Sequence, residues 1–284
     1  MVARTLRVGS VPYLVGRPLD AALDDPHDAR TGSDATESVS PGAIDLVRAV
    51  PSRLVEGLRD GSLDVALVSS IELFRRPGYR YLAGPVVAGR GPVSSVRLYL
   101  RRPVAEVRSI ALDPASRTSA ALVQCLDREL GIEGARFVEP DGGADPRGAG
   151  TDAWLRIGDA ALRESLAEPD LEHIDPSERW LSATALPFVF ALWIVRPGVE
   201  IEPFVPLFER ARSLGLAAVP TFVERHARAS GLPRAALERY LGTECVYDVG
   251  GDLAPALTTF RDRAGARGLC DATLCPSAVD RPTA

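Results

Sequence analysis

The chain has 284 residues, of which 46% are hydrophobic and 25% are charged, a composition that suits one or two globular domains and excludes a disordered or fibrous chain. The net charge of −5 provides no basic surface for nucleic acid, and no apolar run approaches the roughly 18 residues of a membrane span. Lysine is absent, so all 33 basic residues are arginines, which excludes Schiff-base and P-loop lysine chemistry.

The cysteines and histidines do not form a metal-binding pattern. Cys270 and Cys275 are separated by four residues with no histidine nearby, and the three histidines are isolated from one another. We therefore expect free thiols and no metal. The amino-terminal segment has a polar, strand-like pattern instead of the apolar core of a signal peptide, which predicts a cytoplasmic protein.

Strands and helices alternate in the first hundred residues. Apolar runs predict strands at 6–11, 44–50, 63–68, 81–87 and 93–100. A helix is predicted from Pro51, with Ser52 as its cap and Gly61 at its end. The polar segment 24–42 is predicted to be a surface loop. The strand, helix, strand, helix, strand order of residues 6–68 is typical of a parallel sheet that is covered on both faces.

The second half of the chain begins with another alternation. A strand at 110–112 leads through the polar turn 113–119 into a helix at 120–130. The predicted strand Ala153–Ile157 leads into a helix that starts at Gly158 and Asp159. The apolar run Phe188–Val195 has the length of a buried strand. The rest of the chain is predicted to be helical, at 206–214, 217–230, 234–241 and 253–267.

This layout predicts two α/β lobes. We assign residues 1–100 and 190–275 to a discontinuous first lobe, 104–189 to a second lobe, and 276–284 to a disordered tail. Two strands that cross between the lobes would form a hinge, and the cleft between lobes is the natural place for a ligand.

Polar side chains follow several of these strands, where open α/β sheets bind their ligands. Hydroxyl groups and helix-opening residues outnumber carboxylates among them. The candidates are Tyr13, Arg17, Ser69, Ser70, Ser94, Ser95, the turn 116–119, Gly158 and Asp159.

The strongest candidate is the turn 113–119. A cluster of hydroxyls at a helix start, with free backbone N–H groups and the positive end of the helix dipole, favours a carboxylate or phosphate. Serine and threonine are also common helix caps, so simple capping is the alternative. Structural alternatives apply to the other candidates too: ordinary polar strand positions for Ser94 and Ser95, capping by Asp159, and pairing of Arg17 with Asp20.

Two familiar catalytic patterns are absent from the sequence. No G-x-S-x-G motif supports a serine triad, and no G-x-G-x-x-G motif stands between a strand and a helix. We therefore expect no nucleotide cofactor.

Seven short motifs occur together and in order along the chain. They are RVGSVPYLVGRPL at 7–19, PS at 51–52, GSLDVAL at 61–67, GPVSSV at 91–96, LD with SRTS at 112–119, IGD at 157–159 and LPFVFA at 186–191. Through these motifs the chain resembles the MqnA family over about residues 6–270.

The resemblance implies a two-lobed periplasmic-binding-protein-like fold of type 2. It also implies a chorismate dehydratase of the futalosine route to menaquinone, a hydro-lyase that converts chorismate to 3-[(1-carboxyvinyl)oxy]benzoate without a cofactor. No side chain is assigned as the base, because a carboxylate of the substrate has been considered for that role in the family. The substrate, a small dicarboxylate, would contact Tyr13, Val15, Arg17, Ser69, Ser94, Ser95, Ser116, Thr118, Ser119, Gly158 and Asp159.

Val15 is a departure from the family pattern, which usually has asparagine there. The whole chain lacks asparagine, and a valine side chain cannot form a hydrogen bond. Two alternatives to chorismate dehydration therefore stay open. One is a related cytosolic enzyme for another enolpyruvyl or cyclohexadiene carboxylate, and the other is a non-catalytic module that binds small carboxylates on the same fold.

Overall fold

The computed structural model describes residues 5–23, 44–115 and 117–279. Within these residues the strands are β1 (Leu6–Ser10), β2 (Ile44–Arg48), β3 (Val65–Ser69), β4 (Arg80–Gly89), β5 (Val96–Leu100), β6 (Ser109–Ala111), β7 (Arg136–Val138), β8 (Ala153–Ile157), β9 (His173–Ile174), β10 (Phe188–Val195), β11 (Cys245–Val246) and β12 (Ala278–Val279). The predicted loop 24–42 lies outside the described residues.

The α-helices of the same residues pack on the faces and edges of the sheets. They are α1 (Arg17–Asp20), α2 (Pro51–Asp60), α3 (Arg117–Cys125), α4 (Asp127–Leu130), α5 (Gly158–Ala167), α6 (Pro176–Thr184), α7 (Val205–Ala217), α8 (Val219–Ser230), α9 (Arg234–Arg239) and α10 (Leu253–Ala266). A π-helical turn, Tyr240–Glu244, follows α9 directly.

The first sheet has the strand order β11-β4-β10-β3-β1-β2, with β12 paired to β4. Strand β1 is parallel to β2 and β3, whereas β10 is antiparallel to both of its neighbours, β3 and β4. The parallel arrangement predicted for the first three strands is therefore confirmed, and β10 adds an antiparallel strand beside them. Strand β10 enters the first sheet on return from the second sheet, without the helical crossover that makes neighbouring strands parallel.

The second sheet has the order β7-β6-β8-β5-β9. Its strand β5 pairs with β8 along its whole length, from Val96 opposite Ile157 to Leu100 opposite Ala153. The predicted end of the first lobe at residue 100 assigns β5 to that lobe. Its pairing with β8 shows that β5 belongs to the second sheet. Its partners come from later in the chain, so the local pattern could not show the pairing. We now propose a lobe boundary before residue 96.

The carboxyl end of the described chain also differs from expectation. Residues 276–284 were predicted to be a disordered tail, but Ala278 and Val279 pair with Tyr81 and Leu82 at the edge of the first sheet. Two residues are too short for a strand pattern of their own, so only the partner strand explains them. Residues 280–284 lie outside the described part of the chain.

The two ends of helix α2 can be compared with the residues predicted to begin and end it. Its N-cap is Val50, without a side-chain bond, and Pro51 takes the first helical position, so Ser52 lies inside the helix and is not the cap. Gly61 ends the helix in the left-handed region, with φ of +82°, as predicted. Helix α6 was not predicted, although Asp175 caps it by accepting from the N–H of Glu178.

The chain crosses between the two sheets at residues 90–95 and 185–187. On the first crossing, Val93 N donates to Asp175 Oδ2 at 2.6 Å, and Ser94 N donates to Glu244 Oε2 at 2.8 Å. Burial raises the pKa of Asp175 to about 7. On the second crossing, Ala185 has a φ of +58°, the one positive value at a non-glycine residue in the described chain. Hydrogen bonds thus fix the first crossing from both sides.

Helices α1 and α7 meet at Gly215. A Cβ atom at this position would lie 2.1 Å from the carbonyl oxygen of Pro18, a distance that real atoms do not tolerate. The backbone of α1 must therefore move if residue 215 gains a side chain.

We expect Gly215→Ala to lower the free energy of unfolding by about 2 kcal/mol, because overpacking outweighs the gain in helix propensity of about 1 kcal/mol. Urea unfolding measures the change. Gly251→Ala is the matched control, since open space surrounds Gly251. Equal stability of the two variants would contradict the predicted clash.

Candidate functional site

A cleft lies between the two sheets, where strands from both of them end. Its free space, counted to the open mouth, is about 730 Å³. The first sheet contributes residues next to or within β1, β3, β4 and β10, and the second contributes the end of β8 and the start of α5. The apolar part of the wall is formed by Val11, Val68, Val87, Val93, Val96 and Phe190. Both lobes therefore form one site.

Most of the predicted site residues do line this cleft. The structure brings together Tyr13, Val15, Ser69, Ser95, Ser119 and Gly158. Ser116 lies outside the described residues, so its placement stays a prediction. The wall is thus apolar with hydroxyl groups at intervals, which suits a ring with small anionic substituents.

Arg17 does not line the cleft. Its Nη1 lies 3.2 Å from Asp20 Oδ1, and Arg48 Nη2 lies 3.1 Å from the same oxygen. The Asp20 carboxylate is fully buried, so this cluster anchors α1 beneath the site. Pairing with Asp20, the alternative considered for Arg17, is what the structure shows, although the pair is buried and not at the surface.

Ser94 and Thr118, which are predicted to contact the substrate, make contacts within the protein instead. The Ser94 hydroxyl donates to Glu244 Oε1 at 2.9 Å, on the side of the crossing strand away from the cleft. Ser94 and Ser95 are the central residues of a turn in which Val96 N donates to Val93 O at 2.9 Å, and of the two only Ser95 lines the cleft. Thr118 Oγ1 is fully buried and accepts from Ile71 N at 3.3 Å, which joins α3 to the first lobe.

Ser95 stands at the junction of the two lobes. Its side chain is hydrogen-bonded to that of Tyr240, which also bonds to Cys245. Burial raises the pKa of Tyr240 well above its ordinary value, so its hydroxyl stays neutral. The carbonyl of Ser95 accepts from Gly158 N at 2.7 Å. Hydroxyl donors from the crossing strand and from the carboxyl-terminal helices therefore converge on one wall.

Gly158 begins α5 with a φ of +65°, in the left-handed region, and open space lies where a Cβ would be. A side chain there would strain the backbone. The glycine thus lets the chain turn sharply from β8 into α5; Gly158 lines the cleft, and Asp159 follows it directly without being one of the lining residues.

Asp159 has an unusual environment. Its Oδ1 is buried and accepts no hydrogen bond from any residue that the structure describes. Burial raises the pKa of this carboxyl, and the opposing effects of His226 and Arg163 are smaller. A buried carboxyl without a hydrogen-bond partner favours its protonated form, which can donate a proton.

His226 is the neighbour of Asp159 that the sequence did not suggest. It lies on α8, and its Nε2 is buried with no hydrogen bond within the described ranges. The histidine follows Asp159 by more than sixty residues, so only the packing of α8 brings the two together. No spacing signal could have identified it.

Asp113 does not line the cleft, but its hydrogen bonds connect two segments that do. Its Oδ1 accepts from Ala115 N at 2.9 Å, and its Oδ2 accepts from Ile157 N at 3.0 Å. The turn before α3 is thereby tied to the end of β8. Burial raises the pKa of Tyr13, and the charges of Asp113 and Asp159 raise it further.

Other ligand classes find little support in the described residues. No group of three His, Cys, Asp or Glu side chains there is arranged to hold a metal ion. All four cysteines are free, as predicted. No helix among residues 5–23, 44–115 and 117–279 combines the length and apolarity that a bilayer crossing requires.

The fold and the cleft place the chain in the periplasmic-binding-protein-like class. A protein from Archaeoglobus fulgidus of known crystal structure superposes with a TM-score of 0.70 at 18% identity, covering 95% of this chain and 100% of that one. A Candida albicans protein described as having the generic periplasmic binding protein fold gives 0.62 at 13% identity, covering 94% and 90%.

A family model described as menaquinone biosynthesis matches residues 6–266. A chorismate dehydratase of Thermus thermophilus is 32% identical over 213 residues, which cover 69% of this chain and 78% of the relative. The chain belongs to this menaquinone biosynthesis family. The resemblance predicted from the seven motifs is therefore confirmed.

Proposed function

We propose that the protein is a chorismate dehydratase, a lyase that removes water from chorismate to give 3-[(1-carboxyvinyl)oxy]benzoate. The observation that carries the proposal is the cleft itself, with its apolar wall and its hydroxyl groups, in a chain of the menaquinone biosynthesis family. The relative from Thermus thermophilus with the same activity in its name supports it.

The cleft matches the two parts of the substrate. The cyclohexadiene ring fits against apolar side chains such as Val15, Val96 and Phe190. A ring carboxylate can accept hydrogen bonds from the hydroxyls of Ser95 and Ser119. Hydrogen bonds to a charged acceptor contribute roughly 1.5–3 kcal/mol each, so two are sufficient to fix the ring in one orientation.

The reaction breaks two bonds at neighbouring ring carbons, a C–H bond and the C–O bond to a hydroxyl group. The C–H bond breaks at the carbon that carries the ether oxygen, and its proton goes to a base, for which a carboxylate of the substrate is in reach. The electron pair completes the aromatic ring as the C–O bond of the neighbouring hydroxyl breaks. No electrons enter or leave the substrate overall, so the elimination needs no redox cofactor, and positioning supplies much of the rate.

The departing hydroxyl needs a proton, and we assign Asp159 as its donor. Its Oδ1 is buried without a hydrogen-bond partner in the described chain, and burial raises its pKa. A dianionic substrate bound nearby raises the pKa further, because like charges disfavour ionisation. After water leaves, the proton taken by the base returns to Asp159 and restores the site.

Incubation of the purified protein with chorismate tests the proposal, with the aromatic product followed by chromatography. Formation of 3-[(1-carboxyvinyl)oxy]benzoate in proportion to enzyme is the expected result. Absence of product at high enzyme concentration would overturn it. In that case, strong thermal stabilisation by small carboxylates without turnover would favour a binding module instead.

Val15 lines the cleft, where the family pattern has asparagine. We expect Val15→Asn to raise the turnover of chorismate by about 10- to 100-fold, because it restores a polar contact of about 1–3 kcal/mol. Steady-state kinetics measure the change, and Val47→Asn, at an exposed position that lines neither the inner cleft nor its mouth, is the control. A reduced rate with chorismate would instead favour a different enolpyruvyl or cyclohexadiene carboxylate as the natural substrate.

A further inference from the structure

We propose that Arg117 binds the second carboxylate of the substrate at the mouth of the cleft and selects dicarboxylates over monocarboxylates. The inference rests on the proposed function for the identity of the ligand. It arises because the charge of the substrate is not balanced by the residues of the inner cleft. The substrate is a dianion, whereas the inner cleft described above is lined by hydroxyls and apolar groups, with no arginine or histidine among its lining residues in the described chain.

The mouth of the cleft is a second space of about 740 Å³, counted out to solvent. It shares Tyr13, Pro51, Ser69 and Ala115 with the inner cleft, so the two spaces are continuous. Arg117 and Glu72 are the charged residues of its described wall. A ligand whose ring lies in the inner cleft can therefore extend a substituent to Arg117.

Three arginines surround the carboxylate of Glu72, so the positive charge around it exceeds its single negative charge. Its carboxylate is almost fully buried, and Arg59 Nη2 lies 3.1 Å from Oε2 while Arg75 Nη1 lies 2.9 Å from Oε1. Arg117 Nη1 is a third cation, 3.2 Å from Oε1. One negative charge thus faces three positive charges.

Arg117 is the member of this cluster that can change partner. Its side chain is 48% exposed, against 32% for Arg59 and 28% for Arg75. If it turns to a ligand, both oxygens of Glu72 keep an arginine, so no buried charge loses its partner. A substrate carboxylate would accept the fork of guanidinium donors, the strongest common arrangement for this pair.

The position of Arg117 is set by the residues next to it. It begins α3, and Thr118 holds that helix start to Ile71 of the first lobe. Glu72 follows Ile71 directly, so the same contact brings the carboxylate and Arg117 together across the lobes. The second carboxylate of a bound ligand would therefore touch groups of both lobes.

The test compares Arg117→Gln with Arg59→Gln. Both variants remove one cation from Glu72, but Arg59 does not line the mouth of the cleft. Calorimetry measures the binding of 3-[(1-carboxyvinyl)oxy]benzoate and of benzoate to each variant and to the unchanged protein. Kinetics with chorismate are measured in parallel, with Arg117→Lys as the conservative variant.

We expect Arg117→Gln to weaken binding of the dicarboxylate about 10- to 100-fold and to leave benzoate binding nearly unchanged. KM for chorismate should rise by a similar factor while kcat changes little, and Arg117→Lys should recover part of the loss. Arg59→Gln should change none of these values by more than about threefold.

Equal weakening of dicarboxylate and benzoate by Arg117→Gln, or an equal effect of Arg59→Gln, would overturn the inference. Failure of the unchanged protein to dehydrate chorismate refutes the proposed function alone. The preference for dicarboxylates and its dependence on Arg117 are read from the binding data, so the two failures are distinguishable.

Discussion

Asp159→Asn should lower kcat for chorismate by about 10²- to 10⁴-fold, the range that a positioned general acid contributes. The substitution keeps the size of the side chain but removes the proton that the departing hydroxyl needs. KM should change much less, because the carboxyl is assigned to the departing group and not to the anionic groups of the substrate. Asp127→Asn is the matched control, an equivalent change near a helix start where Asp127 pairs with Arg267 away from the cleft.

The pH dependence separates proton donation from a structural role. The reactive form of Asp159 is protonated, so kcat should fall as the pH rises through its pKa, which burial holds above the ordinary value. This fall of kcat at high pH, the alkaline limb of the pH profile, should be absent in Asp159→Asn. His226→Gln should move it to higher pH, since His226 lowers the pKa of the carboxyl. An Asp159→Asn variant that keeps both the rate and the limb would refute the assignment.

Asp64→Asn should lower the free energy of unfolding by about 3 kcal/mol, because removal of one partner from a buried ionic cluster leaves the others uncompensated. The Asp64 carboxylate is fully buried and accepts from Arg7 Nη2 at 2.8 Å and from Arg196 Nη2 at 2.8 Å. Arg7 precedes the centre of β1 and Arg196 follows β10, so this one carboxylate ties together separate parts of the first sheet. Urea unfolding at pH 7 measures the loss.

The same cluster predicts a loss of stability in acid. Although burial opposes it, hydrogen bonds from Arg7 and Arg196 hold the pKa of Asp64 well below its ordinary value. A depressed pKa contributes stability above the unfolded pKa of about 3.9, and the contribution is lost as the pH falls below it. Asp64→Asn should therefore show a smaller decline between pH 5 and pH 3, while Asp170→Asn, at an exposed position, should behave like the unchanged protein. An undiminished decline in Asp64→Asn would contradict this account.

Strand ends were the part of the site that the sequence could predict. Ser69, Ser95 and Gly158 follow from short apolar runs and from the rule that ligands bind at strand ends. The choice between Ser94 and Ser95 did not follow, because the two residues form a turn that the sequence pattern predicted as part of a strand. That choice depends on Glu244, which binds Ser94 from a distant part of the chain.

The residues from the carboxyl-terminal helices were missed for a related reason. Tyr240 and Cys245 line the cleft because β11 pairs with β4 of the first sheet, whereas His226 lies on α8, which packs against α7 and α9. No local pattern in a helix indicates which distant strand end it will cover. Arg117 lay inside a recognised motif, but its importance depends on the excess of cations around Glu72, which appears only in three dimensions.

The hydrogen bonds on the first crossing strand determine where the molecule can bend. Val93 is held by Asp175 of the second lobe and Ser94 by Glu244 beside the first sheet, so two consecutive peptide groups are clamped from opposite sides. Upstream of this pair, Gly91 has a φ of +130°, and on the other crossing Ala185 has a φ of +58° and donates its N–H to Leu181 O at 2.8 Å. We therefore expect this pair of peptide groups to act as the pivot when the lobes rotate against each other, with Ser95 next to it.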